Sequence, residues 1–106
     1  RSSLAREADD GRIENVYRIQ LMNATEGTQQ FRIEVDGLPG AVIASNASAE
    51  VGPTQARWVP VSVQITPQAA QALGGGAHPM RFRIALQEAG RTTTEVSEKS
   101  TFVVPR

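Results

Sequence analysis

The sequence predicts an all-β domain, an antiparallel β-sandwich of about seven strands. Three observations predict it. Apolar and polar residues alternate along most of the chain, turn residues recur every ~8–12 positions, and one short stretch alone reads as helix. The 106 residues, 40% of them hydrophobic and 21% charged, suit one globular domain with one core.

The elements follow in order. Residues 1–11 are mostly polar and show no alternation, which predicts a linker into a domain spanning 12–106; Leu4 is its one apolar residue able to dock. From Ile13 the period is two: Tyr17, Ile19 and Leu21 share one face, Arg18, Gln20 and Met22 the other. Asn23 to Gly27 is a turn. Phe31, Ile33 and Val35 then alternate with Arg32, Glu34 and Asp36, and Gly37-Leu38-Pro39-Gly40 closes that strand. Ala41 to Ala44 is a short apolar run, and Ser45 to Pro53 reads as loop.

Trp58 to Thr66 carries Val59, Val61, Val63 and Ile65 on one face and Trp58, Pro60, Ser62 and Gln64 on the other. Its β-branched density marks a strand, with Pro60 at an edge or with its unpaired side outward. Pro67 to Leu73 predicts one short helix with proline at its first position, ended by three glycines. Met80, Phe82, Ile84 and Leu86 alternate with Arg81, Arg83 and Ala85, and Glu88 to Arg91 is a hairpin loop. Thr92 to Val104 is the last strand region, with a bend or bulge expected over Ser97 to Ser100. The strand count and spacing are simplest as an immunoglobulin-like sandwich, a small barrel being the alternative.

Composition narrows the function. Eleven basic residues balance eleven acidic ones, so the basic excess of a nucleic-acid binder is missing. Without cysteine there are no disulfides, thiolate metal sites or cysteine nucleophiles in the chain. No apolar run reaches the ~20 residues of a membrane span. The start at Arg1, without Met, reads as a piece of a longer protein.

Few residues suggest chemistry. His78 and Met80 pair an imidazole with a thioether, a combination suited to copper. The competing reading is a core methionine beside a solvated histidine. Met22 is a further thioether that joins them only if the fold brings its strand near. Glu7, Asp9, Asp10 and Glu14 lack the ligand spacing and central glycine of a calcium loop and read as solvated acids. Gly74-Gly75-Gly76 lacks the lysine and helix of a phosphate loop. With one histidine and no marked carboxylate pair, no catalytic set stands out. Two sequons, Asn23-Ala24-Thr25 and Asn46-Ala47-Ser48, also occur.

Trp58 is either an exposed anchor for a protein partner or a core residue covered by the second sheet. Arg81 and Arg83 share the outward face of their strand and are expected either as a basic rim of that same surface or as solvated side chains.

Four segments together resemble the C-terminal domain of FixG-type (CcoG-type) cytochrome oxidase accessory proteins: Asp10 to Asn23, Phe31 to Gly40, Val59 to Pro67, and Met80 to Leu86 with Glu98 to Arg106. The resemblance implies an immunoglobulin-like, non-catalytic domain after the last membrane helix of a polytopic protein, at the periplasmic face of the bacterial inner membrane. Residues 1–11 would be its tether. It implies 4Fe-4S clusters in the parent protein and none in this chain, and links the parent to assembly of cbb-type cytochrome c oxidase and to copper handling. The partners it implies are proteins: the parent's own membrane portion, oxidase subunits or copper chaperones. The expected role is docking, with copper binding through His78 and Met80 as the alternative.

Overall fold

A computed structural model describes residues 4–105. The apolar faces close on each other as two antiparallel sheets of four strands, an immunoglobulin-like sandwich and not a barrel. The first sheet has the order β1 (Leu4–Glu7), β2 (Ile13–Met22), β6 (Ala56–Ile65), β4 (Val42–Ile43). The second has the order β5 (Ser48–Val51), β3 (Gln29–Asp36), β7 (Gly76–Glu88), β8 (Arg91–Val104). Between β6 and β7 lies a short helix, α1 (Pro67–Leu73).

The period-two faces are those read from the sequence. Tyr17, Ile19 and Leu21 of β2 and Val59, Val61, Val63 and Ile65 of β6 meet Ile33 of β3 and Met80, Phe82 and Ile84 of β7 in one core. Phe102 and Val104 of β8 close it, Phe102 being completely buried. Helix α1 begins where Thr66 Oγ1 accepts from Ala69 N at 3.1 Å and proline stands in the first turn. It ends at Gly74, whose φ of 82° suits glycine and whose N–H donates to Ala70 O.

Four expectations change. The first concerns the linker over 1–11, within which Leu4–Glu7 is an edge strand pairing with Ile13–Val16; residues 1–3 of that linker lie outside the described residues. Alternation gives no sign of this strand, because its polar side chains are placed by partners in β2. Arg6 Nε donates to Glu14 Oε1 at 2.6 Å, and Gln64 Nε2 donates to Glu14 Oε2 at 2.9 Å. Second, the loop expected over 45–53 contains β5, whose Ala49 and Val51 are buried against β3. Third, the strand count among the described residues is eight. Fourth, β8 does not bulge over Ser97 to Ser100. The register slips where Leu86 pairs with Thr94 but Gln87 with Thr92, leaving Thr93 as the extra residue. Ala89 and Gly90, at φ of 53° and 78°, make the tight turn between β7 and β8.

Glu14 is nearly buried, and its carboxyl is held below the ordinary value of 4.5, first by the Gln64 hydrogen bond and then by Arg6. A depressed folded pKa gives stability that is complete above the unfolded value and is lost as pH falls through the folded one. Glu14→Gln is therefore expected to be less stable than wild type at neutral pH, with the gap narrowing as pH drops below 4.5 in thermal melts. A gap that stays constant across that range would contradict the assignment.

Both sequons are local backbone devices. Asn23 Oδ1 accepts from Thr25 N at 2.8 Å, and Asn46 Oδ1 accepts from Ser48 N at 3.1 Å, each an Asx turn. The Asn23 amide, 2% exposed, also donates to Gly27 O, Val51 O and Gly52 O. It ties the turn after β2 to the end of β5.

Candidate functional site

β2 and β6 run antiparallel with Gln20 opposite Trp58, which turns Trp58 away from the core. The structure thereby selects the exposed alternative: Trp58 is 50% exposed, and Met22, on the same outward face of the sheet, is 71% exposed. The Arg18 guanidinium lies 5.4 Å from the indole centroid, a cation–π contact that orients the ring. Pro60, opposite Arg18, continues this outward face.

A groove of about 530 Å³ extends from this face around β2 towards β8. Met22, Arg18 and Trp58 line one side, Glu98 to Ser100 the other, and Tyr17 and Phe82 the floor. The floor is rigid. The Tyr17 and Phe82 rings meet edge-to-face at 5.0 Å, and Tyr17 OH donates to Thr101 O at 2.6 Å. Burial raises the Tyr17 pKa, so its hydroxyl stays a proton donor. An indole, a thioether and a guanidinium around an open groove offer apolar contact and charge for recognition.

Arg81 and Arg83 are not part of this surface. They point outward from β7, in the other sheet. Arg83 Nη2 donates to Glu34 Oε1 at 2.6 Å, and its guanidinium also approaches Glu95 at 3.6 Å and Asp36 at 4.0 Å. Arg81 sits between Asp36 and Lys99 in register. On this outer face Arg83 is shared among Glu34, Asp36 and Glu95, and the shared rim expected with Trp58 does not form. The sheet to which each strand belongs is a matter of non-local pairing, which alternation does not encode.

His78 and Met80 share one face of β7, but each is engaged elsewhere. The Met80 sulfur is in the core, 3.4 Å from the Tyr17 hydroxyl oxygen. His78 Nε2 is 2.7 Å from Gly74 O at the end of α1. Met22 lies on the outward face of the first sheet, away from both. Among the described residues no three His, Asp or Glu side chains converge as a metal site. Asp10 accepts from Arg12 N at 3.1 Å and Glu14 is held by Arg6 and Gln64, so the acids near the start of β2 are separately paired.

The family model described as "IG-like fold at C-terminal of FixG, putative oxidoreductase" matches residues 1–105. Among solved structures, a FixG-related protein from Vibrio parahaemolyticus superposes with a TM-score of 0.68 at 19% identity, covering 96% of this chain and 92% of that one. A protein from Archaeoglobus fulgidus superposes with a TM-score of 0.61 at 16% identity, covering 96% and 93%. These likenesses show a shared fold. No curated protein matches the chain.

Proposed function

Since the chain belongs to the family of immunoglobulin-like domains found at the C-terminus of FixG, we propose that it is a non-catalytic docking module of a membrane-bound iron–sulfur accessory protein. In this reading the domain stands at the periplasmic face of the inner membrane. It holds the parent against a protein partner during assembly of cbb-type cytochrome c oxidase and the associated handling of copper. The resemblance supports the setting. The observation that carries the docking role is Trp58: a half-exposed indole, held by Arg18, beside an even more exposed methionine and above a groove with a rigid floor. Aromatic and arginine side chains at the centre of an apolar surface are the residues on which protein interfaces most depend.

Trp58→Glu places a carboxylate at the centre of that surface without touching the core. It is expected to abolish capture of the partner from membrane extracts by the parent protein, a loss of at least about thirtyfold, equivalent to a hot-spot contribution of ~2 kcal/mol or more. Its melting temperature should stay near that of wild type, because exposed substitutions rarely exceed about 0.5 kcal/mol. Capture at wild-type level by this variant would remove Trp58 from the interface.

A further inference from the structure

The last strand carries a second surface, on its open edge. Among the described residues β8 pairs with β7 alone, and every residue from Arg91 to Lys99 is exposed. In an antiparallel strand the N–H and C=O of one residue lie on the same edge, and successive residues alternate between edges. The side chains of β2 reveal which residues face outward here. Asn15 takes both groups of Val103, donating from Nδ2 to its oxygen and accepting from its nitrogen, each at 2.9 Å. Tyr17 OH takes Thr101 O. The odd-numbered residues thus point their main-chain groups away from β7.

That open edge has two boundaries. At one end Thr101 and Val103 are occupied by Tyr17 and Asn15. At the other, the register slips at Thr93. Between them Glu95, Ser97 and Lys99 offer main-chain groups to whatever pairs there, and Ser97 is the midpoint. The charges have the same centre. In a symmetric antiparallel pair about Ser97, Glu95 of each strand stands opposite Lys99 of the other. A centre at Glu95 or Glu98 would oppose two like charges, and a centre at Val96 pairs no charges at all. Like charges directly opposite destabilise a sheet and unlike charges stabilise it.

We infer that this chain self-associates by pairing β8 with β8 of a second copy about a two-fold axis at Ser97, joining the two four-stranded sheets into one. Three hydrogen-bonded residue pairs, Glu95–Lys99, Ser97–Ser97 and Lys99–Glu95, supply about six main-chain hydrogen bonds. The stem of Glu98 from the second copy covers Val96, which is 53% exposed in one copy alone. An edge contact of this length is at the small end of specific interfaces, so the association is weak and shows at high protein concentration.

Sedimentation equilibrium tests it by charge exchange. The wild-type chain should approach twice its 11.4 kDa mass as concentration rises. Glu95→Lys and Lys99→Glu should each weaken association at least about fivefold by placing like charges opposite. The double exchange Glu95→Lys/Lys99→Glu should restore it. The chain has no cysteine of its own, so Ser97→Cys should be joined to its copy by a short bis-maleimide. Arg91→Cys should not, being ~40 Å from its counterpart in this register. Glu98 and Lys99 also border the groove beside Trp58, but Trp58 itself lies in the other sheet, so Trp58→Glu should leave association unchanged. A chain that stays monomeric to its solubility limit overturns the inference, as does a dimer insensitive to both single exchanges or crosslinked equally at residues 91 and 97.

Discussion

Phe102→Ala is expected to lower the stability of the domain by about 4 kcal/mol, the cost of emptying a large aromatic site in a packed core. Phe102 is completely buried near the end of the edge strand β8. Its removal takes away apolar burial and leaves a cavity that the strands can close only by letting β8 shift. β8 is also tied down there by side chains of β2, so the shift would break the Asn15 and Tyr17 hydrogen bonds. Domains of this size have roughly 5–15 kcal/mol in all, so the variant should be close to unfolding at physiological temperature. Urea denaturation checks this through a large drop in midpoint with an unchanged slope. A loss below about 1 kcal/mol would mean that Phe102 is not the packing centre at this edge.

The second large effect is expected at Asn15, a fully buried polar residue on the apolar face of β2. Its amide satisfies both main-chain groups of Val103 and so fixes the end of one sheet to the other. Asn15→Leu is the informative change. By burial alone a leucine of this size would stabilise the core. By hydrogen-bond accounting it leaves the partly buried N–H and C=O of Val103 unpaired, at about 1–3 kcal/mol each. The expected outcome is a net loss of about 3 kcal/mol, with the unpairing outweighing the added apolar contact. Faster hydrogen exchange at the Val103 amide should accompany it. A leucine variant as stable as wild type would show that the clamp contributes nothing beyond its volume.

Much of this architecture is legible in the chain because one face of each long strand is buried. Tyr17-Ile19-Leu21, Val59-Val61-Val63-Ile65 and Met80-Phe82-Ile84 all fall on the core side, as their spacing requires. Helix α1 and the Ala89-Gly90 turn are legible from proline and glycine placement. The sign of Asn15 is present too: it shares parity with Tyr17 and Ile19, so a polar residue on that face implies a buried partner. The same holds for Asn23, whose sequon hides a turn.

What escapes is set by pairing between distant segments. β1 has no alternating pattern, since Arg6 finds its place through Glu14. β5 offers just Ala49 and Val51 to the core and looks like loop. Alternation alone groups Trp58 and the Arg81/Arg83 pair on one surface because each faces outward on its own strand. β6 and β7 lie in different sheets, so the two outward faces are different surfaces. The free edge of β8 is visible only after Asn15 and Tyr17 show which main-chain groups are taken.

The docking reading stands or falls on whether a protein partner contacts the Trp58 face in the intact parent. The direct measurement is site-specific photocrosslinking in membranes, with the reactive group at Gln20, the register partner of Trp58, and a control at Arg81 on the opposite sheet. The account predicts a discrete crosslinked protein from position 20, lost on Trp58→Glu, and none from position 81. Crosslinks from position 81 alone, or from position 20 unaffected by Trp58→Glu, would contradict it.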